Sequence, residues 1–169
     1  MSTTGTAPVA TPRIVVGVDG SESSKQALRW AAKVAAPFGA GLVAVAAWDY
    51  PVTYGLAAWP QDWDLAKGTE KALTDTVDEV FGAHRPADLE LMVRQGGAPA
   101  VLLKESVGAL MLIVGSRGHG GFAGMLLGSV SANVAEHAPC PVLVVHGDAE
   151  QVPATTQNSA AAEESAALA

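Results

Sequence analysis

Short apolar runs and longer segments of helical period take turns along this chain. The runs RIVVGVD, LVAVAAW, DLELMVR, ALMLIVG and PVLVVHG are rich in Val, Ile and Leu and have strand length. After the first run, Ala27, Trp30, Ala31, Val34, Ala35 and Phe38 recur at helical spacing. Serines 21 to 24 offer this helix an N-cap, and Pro37 with Gly39 and Gly41 supplies its stop. Leu65, Thr69, Ala72, Leu73, Thr76, Val77 and Val80 mark a longer helix after the second run. GGAPAVLLKESV predicts a short helix with Pro99 in its first turn, and SVSANVAEHA another, stopped by Pro139. The order β-α-β-α-β-α-β-α-β implies a parallel sheet with helices on both faces. Unbroken apolar strands are what such a doubly covered sheet requires, and the alternating DLELMVR fits an edge.

Outside this pattern, residues 1–12 and 147–169 are Thr, Ala, Pro and polar rich, and are expected to be a disordered arm and tail. The folded unit is then 13–146, one domain. Composition narrows the partners. The net charge is −7 and the 10 Lys and Arg residues are scattered singly, so no basic stripe exists to follow a nucleic-acid backbone. The lone Cys140 makes no intrachain disulfide and reads as a small apolar residue in a reducing cytoplasm. The N-terminus lacks the charged and apolar regions of a secretory signal, and no apolar run approaches the ~20 residues of a membrane span, so a soluble cytoplasmic protein is expected.

The chemistry concentrates after the fourth run. GSRGHGGFAGMLLGSVS places six glycines from Gly115 to Gly128 before a helix. Glycine is used where φ must be positive or where a group must approach the main chain. Ligands of open parallel sheets sit beyond the strands' carboxyl ends, where strand order reverses. VDGSESS after the first strand and GSRGHGGFAGMLLGS after the fourth would share that crevice. No G-x-x-x-x-G-K-[ST] is present, which excludes the P-loop class. Gly118, Gly120 and Ala123 spell G-x-G-x-x-A, but without the strand-to-helix turn a dinucleotide fingerprint needs. Ser129 opens a helix, where free N–H groups and the positive dipole end favour an anion; its hydroxyl is also a natural cap. Arg117 sits at the loop rim.

The spacing Gly115, two residues, Gly118, nine residues, Gly128, Ser129 resembles the nucleotide-binding motif of the universal stress protein family. VVGVDGS, GSRG, LLGSVS and CPVLVV carry the likeness over about residues 13–146. The resemblance implies a flavodoxin-like sheet of order 3-2-1-4-5, also described as adenine nucleotide alpha hydrolase-like. It implies ATP as ligand, with Mg²⁺ held by the phosphates. Carried over by position, Asp19 and Ala47 would face the adenine side, and Gly115 and Gly118 the ribose and first phosphate. Gly128, Ser129 and Val130 would offer N–H groups to the outer phosphates. Gly17, Val114 and Arg117 complete the candidate site, Gly17 replacing a bulkier residue and loosening the pocket. Asp19 has a plain alternative as the brace of a turn, and Trp48 is the nearest aromatic candidate beside adenine. Few charged groups surround the loop, so binding rather than turnover is expected, with at most slow ATP hydrolysis or autophosphorylation. Cyclic AMP is the alternative ligand. The apolar strand at 141–146 would lie at the sheet edge and pair with a second copy in a homodimer.

Overall fold

The computed structural model describes residues 11–50, 64–118 and 127–147. The expected arm and tail, together with Trp59, Trp63 and His119, lie outside them except at their inner ends. There, the Pro12 carbonyl accepts from the Gly41 N–H at 2.9 Å.

Strand β1 (Arg13–Gly17) leads to helix α1 (Glu22–Phe38), β2 (Gly41–Trp48), α2 (Leu65–Phe81), and a short 3₁₀ turn at Gly82–His84. Then come β3 (Leu89–Gln95), α3 (Ala98–Glu105), β4 (Met111–Gly115), α4 (Ser129–His137) and β5 (Val142–Val145). The strands form one five-stranded parallel sheet of order β3-β2-β1-β4-β5, with β1 paired to both β2 and β4. Strand order therefore reverses between β1 and β4, as the family resemblance implies.

The period of two divides each strand between two cores. Ile14, Val16, Ala44 and Ile113 pack under α1 and α2 with Ala27, Leu28, Leu73 and Val77. Val15, Val43, Val45, Leu112 and Val114 face α3 and α4, against Val101, Leu102 and Val134. Ile14, Leu28, Ile113 and Leu112 are fully buried, and each such side chain contributes about 2 kcal/mol. Alanines at 27, 31 and 35 let α1 lie close to the sheet. Cys140 packs against the second core, where burial pushes its thiol above the ordinary range. Among the described residues no helix is long and apolar enough to cross a membrane.

One boundary and one cap differ from expectation. Helix α1 runs through Pro37 and ends at Gly39, whose left-handed conformation (φ 56°, ψ 33°) lets its N–H reach the Ala35 and Ala36 carbonyls. Pro37 has no N–H to donate to the Lys33 carbonyl, so the last turn of the helix forgoes one bond. Helix α4 begins with Ser129 as its first residue; the cap is Gly128, with no side-chain cap bond.

Candidate functional site

At the carboxyl end of the sheet, over the β1/β4 reversal, lies a cavity of about 840 Å³. That is within the range of small-ligand sites. Gly17, Asp19, Ala47, Val114, Gly115, Arg117, Gly118, Gly128, Ser129 and Val130 all line it. The fold thus gathers all ten of these, although Ala47 and Ser129 are 82 positions apart. It changes the reasons for several of them.

Gly115 serves packing. A Cβ there would meet the Ser23 hydroxyl and lie 2.7 Å from the Ser23 carbonyl carbon and 2.8 Å from the Ser24 nitrogen. The missing side chain lets the first turn of α1 press against the end of β4. The φ of Gly118 is not positive: the described glycines in that region are Gly20, Gly39, Gly82, Gly96 and Gly108. A Cβ on Gly118 would meet Asp19 Oδ2, the end of a side chain. Gly128 does not have its N–H to give, because it donates to the Ser116 carbonyl at 2.7 Å. The donors at this end are the amides of the first turn of α4, Ser129 and Val130, which helix geometry leaves without intrahelical partners.

Asp19 braces its turn and also lines the cavity. Its Oδ1 accepts from the Ser21 N–H at 3.0 Å and from the Ser21 hydroxyl at 2.6 Å. Its other oxygen stands beside Gly118, so the carboxylate lies near the glycine assigned to the ribose and first phosphate. Ser21 Oγ in turn caps α1 by accepting from the Ser24 N–H. Trp48 is not a lining residue; its ring meets Tyr50 edge-on, with centroids 5.4 Å apart.

One wall was not foreseen. The stretch of α2 from Leu65 to Thr76 supplies Leu65, Gly68, Thr69, Ala72 and Thr76, while Leu73 both lines the cavity and enters the core. The single apolar stripe read from the sequence therefore divides along its length: core toward Phe81, cavity toward Leu65. The signal was Gly68, a poor helix former with no core role. Thr69 and Thr76 donate their hydroxyls back to Leu65 and Ala72 carbonyls, so this wall presents mostly apolar surface. Asp64 caps α2 by accepting from the Lys67 N–H, and the Lys67 ammonium holds its carboxyl below the usual range. One end of the cavity is thus smooth and apolar, between Ala47, Gly68 and Ala72. The other presents amides at Ser129 and Val130. An amphiphilic ligand with a flat apolar part and an anionic part matches that division.

A parallel 3-2-1-4-5 sheet with this cavity at its reversal is an open α/β architecture that puts a ligand site beyond the carboxyl ends of its strands. The model of the universal stress protein family matches residues 11–146, and the chain belongs to that family. It is 37% identical over 146 residues to a universal stress protein of Mycolicibacterium smegmatis, covering 80% of this chain and 48% of that one. A Mycobacterium tuberculosis universal stress protein is 31% identical over 148 residues, covering 83% and 49%. The chain spans about half the length of these relatives. Among solved structures, a universal stress protein in complex with cAMP superposes with a TM-score of 0.60 at 31% identity, covering 82% of this chain and 98% of that chain. UspA from Lactobacillus plantarum gives 0.61 at 22% identity, over 79% and 97%, a likeness of fold.

Proposed function

We propose that this protein binds ATP in the cavity above β1 and β4 and acts as a nucleotide-dependent regulator or reservoir in a stress response. One observation carries the reading: α4 begins without a side-chain cap, and its first two residues line the same cavity as Gly118 and the apolar wall. Amides at a helix N-terminus favour a polyanion through both hydrogen bonding and the dipole. Gly118 lets a phosphate pass close to the chain, and Asp19, an acceptor only, suits a hydroxyl or amino donor of the nucleoside. Mg²⁺ would arrive on the phosphates. Cyclic AMP is the second reading, favoured by the complex of the 31% identical relative; its single phosphate would have less use for the α4 amides.

Ser129→Pro separates the two. Proline is accepted at the first helical position and removes one N–H. Gly128 already has the extended conformation (φ −74°, ψ 165°) that precedes proline well. Isothermal titration should find ATP bound by the native protein and roughly tenfold more weakly by the variant, with cyclic AMP changed far less. No heat with millimolar ATP would sink the ATP reading. Equal losses for both ligands would sink the assignment of the α4 amides to the outer phosphates.

A homodimer through β5 belongs to the same proposal. This strand pairs with β4 on one side and ends the sheet, and Val142, Leu143 and Val144 are only partly buried. Light scattering should give twice the chain mass at tens of micromolar; monomer mass there would refute it.

A further inference from the structure

Two serine hydroxyls, that of Ser131 in the cavity lining and that of Ser23 outside it, hold the flanks of the glycine segment. Ser131, 2% exposed, places its Oγ 2.9 Å from the Ser116 carbonyl and 3.0 Å from the Gly128 carbonyl. Its single proton is shared between them. The Gly128 N–H reaches the same Ser116 carbonyl, so the exit of β4 and the start of α4 are tied at one buried oxygen. On the other flank, Ser23, 6% exposed, donates its hydroxyl to the Arg117 carbonyl. Ser21 Oγ lies 3.3 Å from that carbonyl and has its nearest acceptor in Asp19 Oδ1 at 2.6 Å. Gly115 is what admits Ser23 to this place, since a Cβ would occupy it.

We infer that Ser131 and Ser23 are positioning residues, which set the α4 amides and the Gly118 backbone at the spacing a phosphate chain requires. The inference rests on the nucleotide reading above. Donors fixed beforehand cost no ordering when the ligand arrives, whereas a segment freed at either flank must be ordered on binding. Ser131 does not maintain the sheet: in Ser131→Ala the Ser116 carbonyl keeps the Gly128 N–H. The loss should therefore fall on phosphate binding rather than on folding.

The test compares ATP, by calorimetry, with adenosine, by saturation-transfer NMR, on the native chain, Ser131→Ala and Ser23→Ala. Each variant loses one hydrogen bond, and ATP should bind roughly fivefold to tenfold more weakly while adenosine stays within about twofold. Ser131→Thr, which keeps the hydroxyl, should bind ATP as the native chain does. Ser131→Cys, close in shape but a weaker donor, should follow Ser131→Ala and stands in if alanine compromises folding. ATP affinity unchanged in both alanine variants, or falling in step with adenosine, would overturn the positioning role. A native chain that binds neither molecule would overturn the nucleotide reading, and this inference with it.

Discussion

The helices on the two faces of the sheet begin differently. Helices α1 and α2 cap themselves: Ser21 accepts from the Ser24 N–H and Asp64 from the Lys67 N–H. Helices α3 and α4, on the opposite face, start from Gly97 and Gly128 with no side-chain cap bond. A capped helix spends its first amides on its own side chain. An uncapped one leaves them for water or a ligand. The difference leaves the amides without a side-chain cap at the α4 side of the cavity. The α1 and α2 side carries the acceptor Asp19 and an apolar wall.

The largest effect tests the packing that holds the two sides together. Gly115→Ala drives a Cβ into the backbone of α1, and should lower stability by about 2–3 kcal/mol in urea unfolding. Gly118→Ala meets a movable carboxylate and should cost under about 1 kcal/mol. On the nucleotide reading it should still weaken ATP at least about tenfold, because its Cβ would push the cavity-lining Asp19 carboxylate out of place. If the two variants proved equally destabilising, packing and approach would not be separate roles for the two glycines.

A smaller pair of changes exchanges the caps. Ser21→Ala removes the α1 cap and should lower the unfolding free energy by about 1 kcal/mol. Gly128→Ser adds one to α4, where the nearest atom to a new Cβ, the Ser116 carbonyl oxygen, is 3.4 Å away. It should stabilise the fold by a few tenths of a kcal/mol while lowering ATP affinity, as the new hydroxyl takes an amide the ligand needs. A stabilised variant with undiminished ATP binding would break the comparison between capped and uncapped faces.

The smallest effect is electrostatic. The hydrogen bond from Lys25, and then its charge, hold the Glu22 carboxyl below the ordinary carboxylate range. A lowered folded value means the contribution is present above the ordinary value and lost as pH falls through the folded one. Because Glu22 is mostly exposed, the effect should be slight and fade with salt. Comparing acid unfolding of the native chain with Lys25→Met should find the native advantage shrinking below the carboxylate range; an advantage that grew in acid would contradict it.

The elements were legible because their signals are local. β-branched runs, the Ser21 cap and Gly39 each act within a few residues, and the αL stop at Gly39 overrode Pro37 for an equally local reason. The site residues were legible through the glycine spacing. Their reasons were not: whether Gly115 faces phosphate or Ser23 depends on how closely α1 is packed, which neighbours in sequence do not specify. The α2 wall was missed for the same reason. A stripe of Leu65, Thr69, Ala72 and Leu73 has one period whether it covers a core or a cavity.

By itself the sequence determined the α/β alternation, the helix starts and stops and the identity of the glycine-bearing crevice, because periodicity and backbone propensity are short-range. Tertiary structure alone decided that Gly128 keeps its N–H for Ser116, that Ser23 and Ser131 hold the segment's flanks, and that α2 is half wall and half core. Those outcomes depend on groups brought together from distant parts of the chain, and hydrogen bonds and close packing act only over a few ångströms.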